Sequence, residues 1–253
     1  MEGDELLAEV IKAIDKLKDY NTNNIIFEDL SLFSLKDLQF IEKNTRLKVI
    51  NGFKVLILFL PAVLKRMYEG LEEDLKQMEV LIIGDEENLT KEIIESLYKI
   101  VGFITIAGDY DNVIDDMYSY ILEKTGLSIF YSKKINKILT NYPIIINLKD
   151  NYDLNVDKLR KSVIIFDFSI EKGIKKQLVS KNSIFCIDNF MFKADHLNIM
   201  GNRFINSPIP SHVYEQFNFN SLNFQEFVGL SIGDKIYSID SFIDYGIRQR
   251  RKF

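Results

Sequence analysis

The middle of the chain alternates short apolar runs with helical patterns, and this alternation constrains the fold more than any other feature. The apolar runs cover residues 80–84, 103–108, 127–132, 142–148 and 163–169, and a sixth covers 184–187. A continuously apolar run is typical of a parallel strand that is buried on both faces. Strands that alternate with helices predict a parallel sheet with right-handed crossovers and helices on both faces. We therefore predict an α/β fold: a Rossmann-like, doubly wound, mainly parallel sheet.

The segments on either side of this region predict a mixed α/β N-terminal part and a mixed, largely helical C-terminal part. Helical spacing covers residues 4–19, 35–44 and 53–77, with Ser34 as an N-cap and Pro61 as a kink or helix start. Further helices are expected over 211–217 and 221–230, and a strand over 235–239. The period changes near Met78, so we divide the chain into 1–77, a Rossmann-like domain at 78–190, and an extension at 191–253 that packs on the core.

Composition narrows the class of protein. Hydrophobic residues make up 47% of 253 residues, which is enough for a real core. The net charge of -5 argues against a nucleic-acid partner, which would need a basic surface. Cys186 is the only cysteine, which excludes an intrachain disulfide and fits the reducing cytoplasm. The apolar run 55–64 is too short to span a bilayer, so we expect a soluble cytoplasmic protein without a membrane partner.

Ligands of doubly wound sheets bind beyond the carboxyl ends of the strands. Two of the predicted strands end in a glycine, Gly84 and Gly108, where a dinucleotide-binding loop would place its first glycine. The loop after Gly108 continues with Tyr110 where the second glycine would stand. The loop after Gly84 carries Glu86 there, within the acidic run 85–87, which favours helix capping over phosphate binding.

Two alignments of a nicotinamide cofactor stay open at these strand ends. In the first, Gly84 is the phosphate turn and Asp109 binds a ribose 2′-hydroxyl, as in NAD enzymes. In the second, Gly108 is the turn, and Ser132 and Lys133 at the end of the next strand would suit the 2′-phosphate of NADP. The candidate cofactor residues are Gly84, Gly108, Asp109, Tyr110, Ser132 and Lys133.

Four runs carry a resemblance to a known family: ITIAGDYDNV at 104–113, LSIFYS at 127–132, PIIIN at 143–147 and LRKSVIIFDFS at 159–169. Together they resemble the cofactor domain of methylenetetrahydrofolate dehydrogenase and, more loosely, the group that includes shikimate dehydrogenase and glutamyl-tRNA reductase. The resemblance covers the middle third of the chain and implies a dehydrogenase-like, NAD(P)-binding domain. Asp109 stands where that family has arginine, and Ile114 where it has glycine. No catalytic residue is carried over.

A second resemblance concerns residues 80–89, VLIIGDEENL, which are similar to the opening of a two-component receiver domain. That resemblance implies a phosphoacceptor aspartate at the end of the third strand. Here the third strand ends in Tyr131, Ser132 and Lys133, which favours the dehydrogenase-like interpretation.

The remaining polar residues add no chemistry to either interpretation. The only histidines, His196 and His212, lie outside the strand-end loops, and no cluster has the spacing of metal ligands, so we predict no metal site. Whether the chain is an enzyme stays open. It is either a degenerate NAD(P)-dependent dehydrogenase-like domain or a non-catalytic interaction or regulatory protein. Its partner is then an unidentified small molecule or protein, or a second copy if the apolar residues of 53–69 are exposed.

Overall fold

The computed structural model describes residues 2–178, 184–193, 208–217 and 223–244. The strands are β1 (Asn24–Ile25), β2 (Lys48–Val49), β3 (Glu79–Gly84), β4 (Phe103–Gly108), β5 (Phe130–Tyr131), β6 (Ile144–Asn147), β7 (Ile164–Asp167), β8 (Phe185–Ile187), β9 (Asn189–Phe192), β10 (Ile209–Pro210), β11 (Phe227–Ile232) and β12 (Lys235–Tyr237). The helices are α1 (Glu2–Leu17), α2 (Leu35–Thr45), α3 (Phe53–Gly70), α4 (Glu87–Leu97), α5 (Ile114–Thr125), α6 (Gly173–Leu178), α7 (Ser211–Phe217) and α8 (Ile239–Ser241).

The central sheet has six strands in the order β5-β4-β3-β6-β7-β8. Every neighbouring pair in it is parallel. Counted from β3 along the chain, the order is 3-2-1-4-5-6, which is the Rossmann order with its switch point between β3 and β6. The predicted fold class is confirmed. Receiver domains place their third strand beside the first, whereas β5 lies outside β4 at the sheet edge, so the receiver interpretation is wrong.

Both faces of the sheet are covered, which is why its strands are apolar at successive positions. One face packs on α3, α4 and α5 through residues that include Ile82, Phe59 and Ile94. The other face packs on α6 and on short 3₁₀ turns through residues that include Ile145 and Ile174. These turns, such as Ile135–Lys137 and Val156–Lys158, stand where the sequence predicted a short helix and a helical turn.

The N-terminal part forms a small cluster of its own beside the carboxyl end of β7. The strands β1 and β2 pair in parallel, and α2 begins with the predicted capping box of Ser34 and Asp37. Ile170, from the loop after β7, is buried among the apolar side chains of this part. The N-terminal part is therefore packed directly against the strand ends of the central sheet.

The C-terminal part contains an antiparallel sheet in the order β10-β9-β11-β12. The sequence predicted a helix over 221–230, and this prediction is wrong for the described residues, because β11 lies there. Short apolar runs do not distinguish a buried strand from a helix, and here β11 is fixed by pairing with β9 on one side and β12 on the other. The predicted strand at 235–239 corresponds to β12, and the helix α8 follows it.

The helix α3 joins all three parts of the chain. Phe59 is fully buried, with ring contacts to Phe192, Tyr214, Phe224 and Phe227 of the C-terminal part. Pro61 lies inside the helix and does not mark its start. The apolar residues of α3 that could have suggested a dimer face are thus largely in the core. The domain boundaries at 77 and 190 stay predictions, and one core includes residues from all three ranges.

No helix in the described ranges is long and apolar enough to cross a membrane. Cys186 is buried in β8, the outer strand of the central sheet. Burial raises the pKa of this thiol well above its ordinary value. His196 lies outside the described residues.

Candidate functional site

The carboxyl ends of β3 and β4 meet as the sequence predicted. Gly84 and Gly108 are register partners in the parallel pair, and Gly108 has φ +133°. A Cβ on Gly108 would overlap the Gly84 carbonyl oxygen, so only glycine permits this approach of the two strand ends. The geometry brings together the two glycines on which both cofactor alignments were based.

Tyr110 occupies the space beside Gly84. A Cβ on Gly84 would lie 2.5 Å from the Tyr110 hydroxyl and 3.1 Å from Thr90 Oγ1. The Tyr110 ring is fully buried, and its hydroxyl and that of Thr90 are hydrogen-bonded at 2.6 Å. Thr90 lies in the first turns of α4, where a Rossmann dinucleotide places its pyrophosphate. The room that a glycine leaves for phosphate is therefore taken by a side chain of the protein.

Further contacts hold Tyr110 in this position. Its ring packs edge-to-face on Tyr131, with 6.2 Å between the ring centroids. The Tyr131 hydroxyl shares its proton between the Gly108 carbonyl at 3.0 Å and the Asp111 carboxylate at 2.8 Å. Burial raises the pKa of Tyr110, so the phenol stays protonated and neutral at physiological pH. Tyr110 belongs to a packed cluster that spans β3, β4 and β5.

The rim of this region carries paired charges. Lys149, which follows β6, forms ion pairs with Asp109 and with Asp85, the latter at 3.5 Å. Burial lowers the pKa of Lys149, but the hydrogen bond to Asp109 and the two carboxylates outweigh it, so its pKa is raised overall. Asp109, the predicted ribose ligand of the first alignment, is mostly exposed and faces a lysine of its own chain. Glu86 is an exposed residue, and partial desolvation of its carboxyl raises its pKa.

Ser132 and Lys133 of the second alignment already have partners within the protein. Lys133 forms an ion pair with Asp111 at 2.5 Å on the surface beside β5. Ser132 donates its backbone N–H to the Ile106 carbonyl at 3.0 Å, and its hydroxyl accepts from the Lys134 backbone N–H at 3.3 Å. These contacts place the predicted cofactor residues around one strand-end region. A role in cofactor binding stays a prediction.

A second concave region lies at the carboxyl ends of β7 and β8, and the sequence analysis did not single it out. This β7–β8 cleft has a volume of about 330 Å³, within the range of small-molecule sites. One wall is the N-terminal segment 28–31, and the other is formed by the C-terminal part. The polar residues of its floor and walls include Ser169, Lys172, Lys175, Asp188, Ser211 and His212.

Asp167 organises the floor of the β7–β8 cleft. It is fully buried at the end of β7, and its Oδ1 accepts from Asn147 Nδ2 at 2.8 Å and from the Ser169 hydroxyl at 2.6 Å. Its Oδ2 accepts from the Lys175 backbone N–H at 2.8 Å. A buried carboxylate is tolerated when its oxygens are hydrogen-bonded in this way. Asp167 therefore fixes the loop between β7 and α6, while the Lys175 side chain forms an ion pair with Asp188.

Lys172 lies in that loop with an unusual backbone. Its φ is +55°, in the left-handed region that non-glycine residues rarely adopt. Its Nζ donates to two main-chain carbonyls, those of Asp167 at 3.0 Å and Asp188 at 2.9 Å. Burial lowers the pKa of this amine, and the charges of Asp167 and Asp188 only partly oppose the change. The amine thus lies where β7 and β8 end.

Ser211 and His212 begin α7 on the opposite side of the β7–β8 cleft. Both are buried, and neither Ser211 Oγ nor His212 Nε2 has a hydrogen-bond partner among the described residues. The pKa of His212 is lowered to about 4, mainly by burial, so the ring is neutral at pH 7. Sequence reasoning placed His212 outside the strand-end loops and could not detect this, because α7 reaches the cleft only through the C-terminal sheet.

No protein-family model matches the chain, and no curated protein matches it in sequence. Matching solved structures include one of the subunits of dipicolinate synthase from Bacillus halodurans, at 12% identity, with 62% of this chain and 55% of that chain covered and a TM-score of 0.40. The chain has a Rossmann-like fold by its strand order.

Two further matches belong to the group that the sequence resembles. Quinate dehydrogenase from Corynebacterium glutamicum, solved with NAD, is 16% identical over 46% of this chain and 41% of that chain, with a TM-score of 0.34. Shikimate 5-dehydrogenase from Listeria monocytogenes, solved with shikimate and NAD, is 14% identical over 47% and 45%, also with a TM-score of 0.34. The chain spans about half the length of the solved chains that it matches. The strand order, and not these distant likenesses, is the basis for the fold.

Proposed function

We propose that this protein is a Rossmann-like binding protein that works without a nicotinamide dinucleotide at the ends of β3 and β4. The observation that carries the proposal is the position of Tyr110, whose hydroxyl lies against Gly84 and is hydrogen-bonded to Thr90. A pyrophosphate bound in the usual way needs that space and the nearby start of the helix. The residues present therefore do not fit NAD or NADP in the usual mode.

The charges at the rim support the same proposal. Asp85 and Asp109 place carboxylates at the ends of the two strands, where they would repel a pyrophosphate. Lys149 is the nearby cation, and both carboxylates already pair with it. A dinucleotide would have to break these ion pairs and displace Tyr110. Both changes cost free energy, and an open Rossmann site requires neither.

The test is thermal unfolding of the full chain with and without millimolar NAD, NADH, NADP and NADPH. A ligand that binds only the native state stabilises it by about 2.7 kcal/mol at a hundredfold excess over Kd. We expect no shift of the melting temperature for the wild-type protein with any of the four. A saturable upward shift with one of them would contradict the proposal.

A pair of variants locates the cause. Tyr110→Ala removes the side chain beside Gly84, and Tyr120→Ala removes a partly exposed tyrosine on α5. Each variant is compared with its own ligand-free melting temperature, since the Tyr110 variant is expected to be less stable. A dinucleotide-dependent shift in Tyr110→Ala, but not in Tyr120→Ala or in wild type, would show that Tyr110 is the block.

The second candidate is a dehydrogenase-like domain that binds NAD(P) weakly. The observation in its favour is the strand order, with its switch point beside Gly84 and Gly108. It requires Tyr110 to leave its buried position when the cofactor binds. The same titration decides between the two candidates, because this one demands a shift with the wild-type protein.

A further inference from the structure

We propose that the β7–β8 cleft binds a small aldehyde or ketone, and that Lys172 captures it as an imine. This site is separate from the ends of β3 and β4, so the inference does not depend on whether a dinucleotide binds there. It rests on the placement of the Lys172 amine, on the strained loop that places it, and on the polar groups that share the cleft.

The hydrogen bonds of Lys172 match those of a neutral amine. A neutral amine has two N–H donors and one lone pair, whereas an ammonium has three donors and no lone pair. Lys172 Nζ donates to two main-chain carbonyls, of Asp167 and Asp188. Two donors are thereby used, and the lone pair is left over. A third N–H would have no acceptor among the described residues.

The charged groups around Lys172 do not supply that third acceptor. The Asp167 carboxylate is already hydrogen-bonded by Asn147, Ser169 and the Lys175 backbone N–H. The Asp188 carboxylate pairs with the side chain of Lys175. Burial lowers the pKa of Lys172, while Asp167, Asp188 and Cys186 oppose this and Lys175 adds to it. Glu28 and Asp29 lie on the opposite wall.

The backbone at Lys172 is in the left-handed region, as it is at Arg46 and Glu72. The left-handed conformation of a non-glycine residue costs about 1 kcal/mol or more and persists only where the surroundings impose it. Here the surroundings are the Asp167 network and Ile170, which is anchored in the N-terminal cluster. Such strain clusters at functional sites. Lysines with a lowered pKa in partly apolar pockets are the ones that form imines with carbonyl compounds.

The chemistry needs only the ligand and the groups of the cleft. The Lys172 nitrogen adds to the carbonyl carbon and gives a carbinolamine, which then loses the former carbonyl oxygen as water to form the C=N bond. The nitrogen loses one proton when the carbinolamine forms and its second when the C=N bond forms, and the oxygen gains both and leaves as water. The neutral ring of His212 lines the same cleft with an unpartnered Nε2, and Ser211 offers an unpartnered hydroxyl, as far as the described residues go. Both are suited to hydrogen-bond a polar ligand there.

The test uses reductive trapping on the full chain. The protein is incubated at pH 7 with propionaldehyde, or separately with glyoxylate, and sodium borohydride reduces any imine to a stable secondary amine. Peptide mapping by mass spectrometry then gives the adduct at each lysine. We expect Lys172 to be modified at least about tenfold faster than Lys176, a more exposed lysine four residues further on, since a larger neutral fraction raises amine reactivity.

The pH profile separates this role from a purely structural one. The modification rate at Lys172 should reach half its maximum at a lower pH than at exposed lysines, whose ordinary pKa is about 10.4. Lys172→Arg should lose the adduct at this position while surface labelling is unchanged, and Lys176→Arg should leave the Lys172 adduct intact. The wild-type profile alone decides the matter if Lys172→Arg does not fold. Labelling that simply follows lysine exposure, with Lys172 among the slowest, would overturn the proposal.

Discussion

Single residues decide the character of both strand-end regions. Tyr110 takes the space beside Gly84, and Lys172 takes a left-handed backbone at the end of β7. The sequence identifies the glycines, because they follow apolar runs, and it identifies Tyr110 as a departure from the glycine pattern. It cannot show that the Tyr110 hydroxyl reaches Thr90, since those residues are 20 positions apart and meet only when β3 and β4 pair. For the same reason, the sequence cannot show that His212 lies in the β7–β8 cleft.

A single residue, His212, makes the free energy of unfolding depend on pH. Its pKa is lowered from 6.5 to about 4 in the folded state, so the unfolded chain binds a proton first as the pH falls. The free energy of unfolding therefore keeps its full value above pH 6.5. It decreases as the pH falls toward 4, by at most about 3 kcal/mol. Urea unfolding at pH 7, 5.5 and 4.5 measures it. His212→Gln is the control.

The control is needed because other groups titrate in the same range. Glu215, on the same helix, has a pKa raised mainly by burial, so its protonation favours the folded state at low pH and partly hides the effect. The charges nearest His212 are Lys172, Asp29 and Glu28. The difference between wild type and His212→Gln isolates the imidazole. An identical loss of stability in both proteins would contradict the assignment.

At the scale of elements, the strands were more predictable than the connections. The bounds of β4 are those of its apolar run. The bounds of β3, β6 and β7 each lie within two residues of the bounds of their own apolar runs. The run at 127–132 yielded only the short edge strand β5, which pairs with β4 at two residues. The antiparallel C-terminal sheet was missed at β11. Its partner β9 is distant in sequence, and the two-residue Gly233-Asp234 turn to β12 is a local hairpin signal that the helical interpretation overlooked.

The close approach of β3 and β4 predicts a contrast between two glycines with positive φ. Gly108→Ala would drive a Cβ into the Gly84 carbonyl at φ +133°, so we expect a loss of more than about 3 kcal/mol or failure to fold. Gly126→Ala, at φ +72° with open space around it, should lose only about 1 kcal/mol through backbone strain. Urea denaturation compares the two. Equal effects would show that the strand ends can separate without cost.

For the whole molecule, the largest buried cluster includes residues from all three parts of the chain. The sequence change near Met78 correctly marks where the central sheet begins, but periodicity does not report whether the preceding helix packs on that sheet. In the structure α3 lies between the sheet and the C-terminal part, with Phe59 at the centre of an aromatic cluster. We therefore expect a single cooperative unfolding transition, although the chain was divided into three by its pattern.

The aromatic cluster makes that expectation testable with adjacent residues. Phe59→Ala removes a fully buried ring and should cost about 3–5 kcal/mol while keeping one transition, because the cluster holds the N-terminal and C-terminal parts together. Leu58→Ala, at a half-exposed neighbouring position, should change stability by less than about 1 kcal/mol. Differential scanning calorimetry measures both. Two separate transitions in either protein would indicate that the parts unfold independently.

The buried thiol of Cys186 can report local opening at the edge of the central sheet. Thiol reagents attack the thiolate, and burial both excludes the reagent and keeps the thiol protonated. Cys186 can therefore react only when β8 detaches from β7, so its rate of modification measures the free energy of that opening. Since it is the only cysteine in the chain, the protein carries an internal probe of local unfolding beside the β7–β8 cleft, without any engineered label.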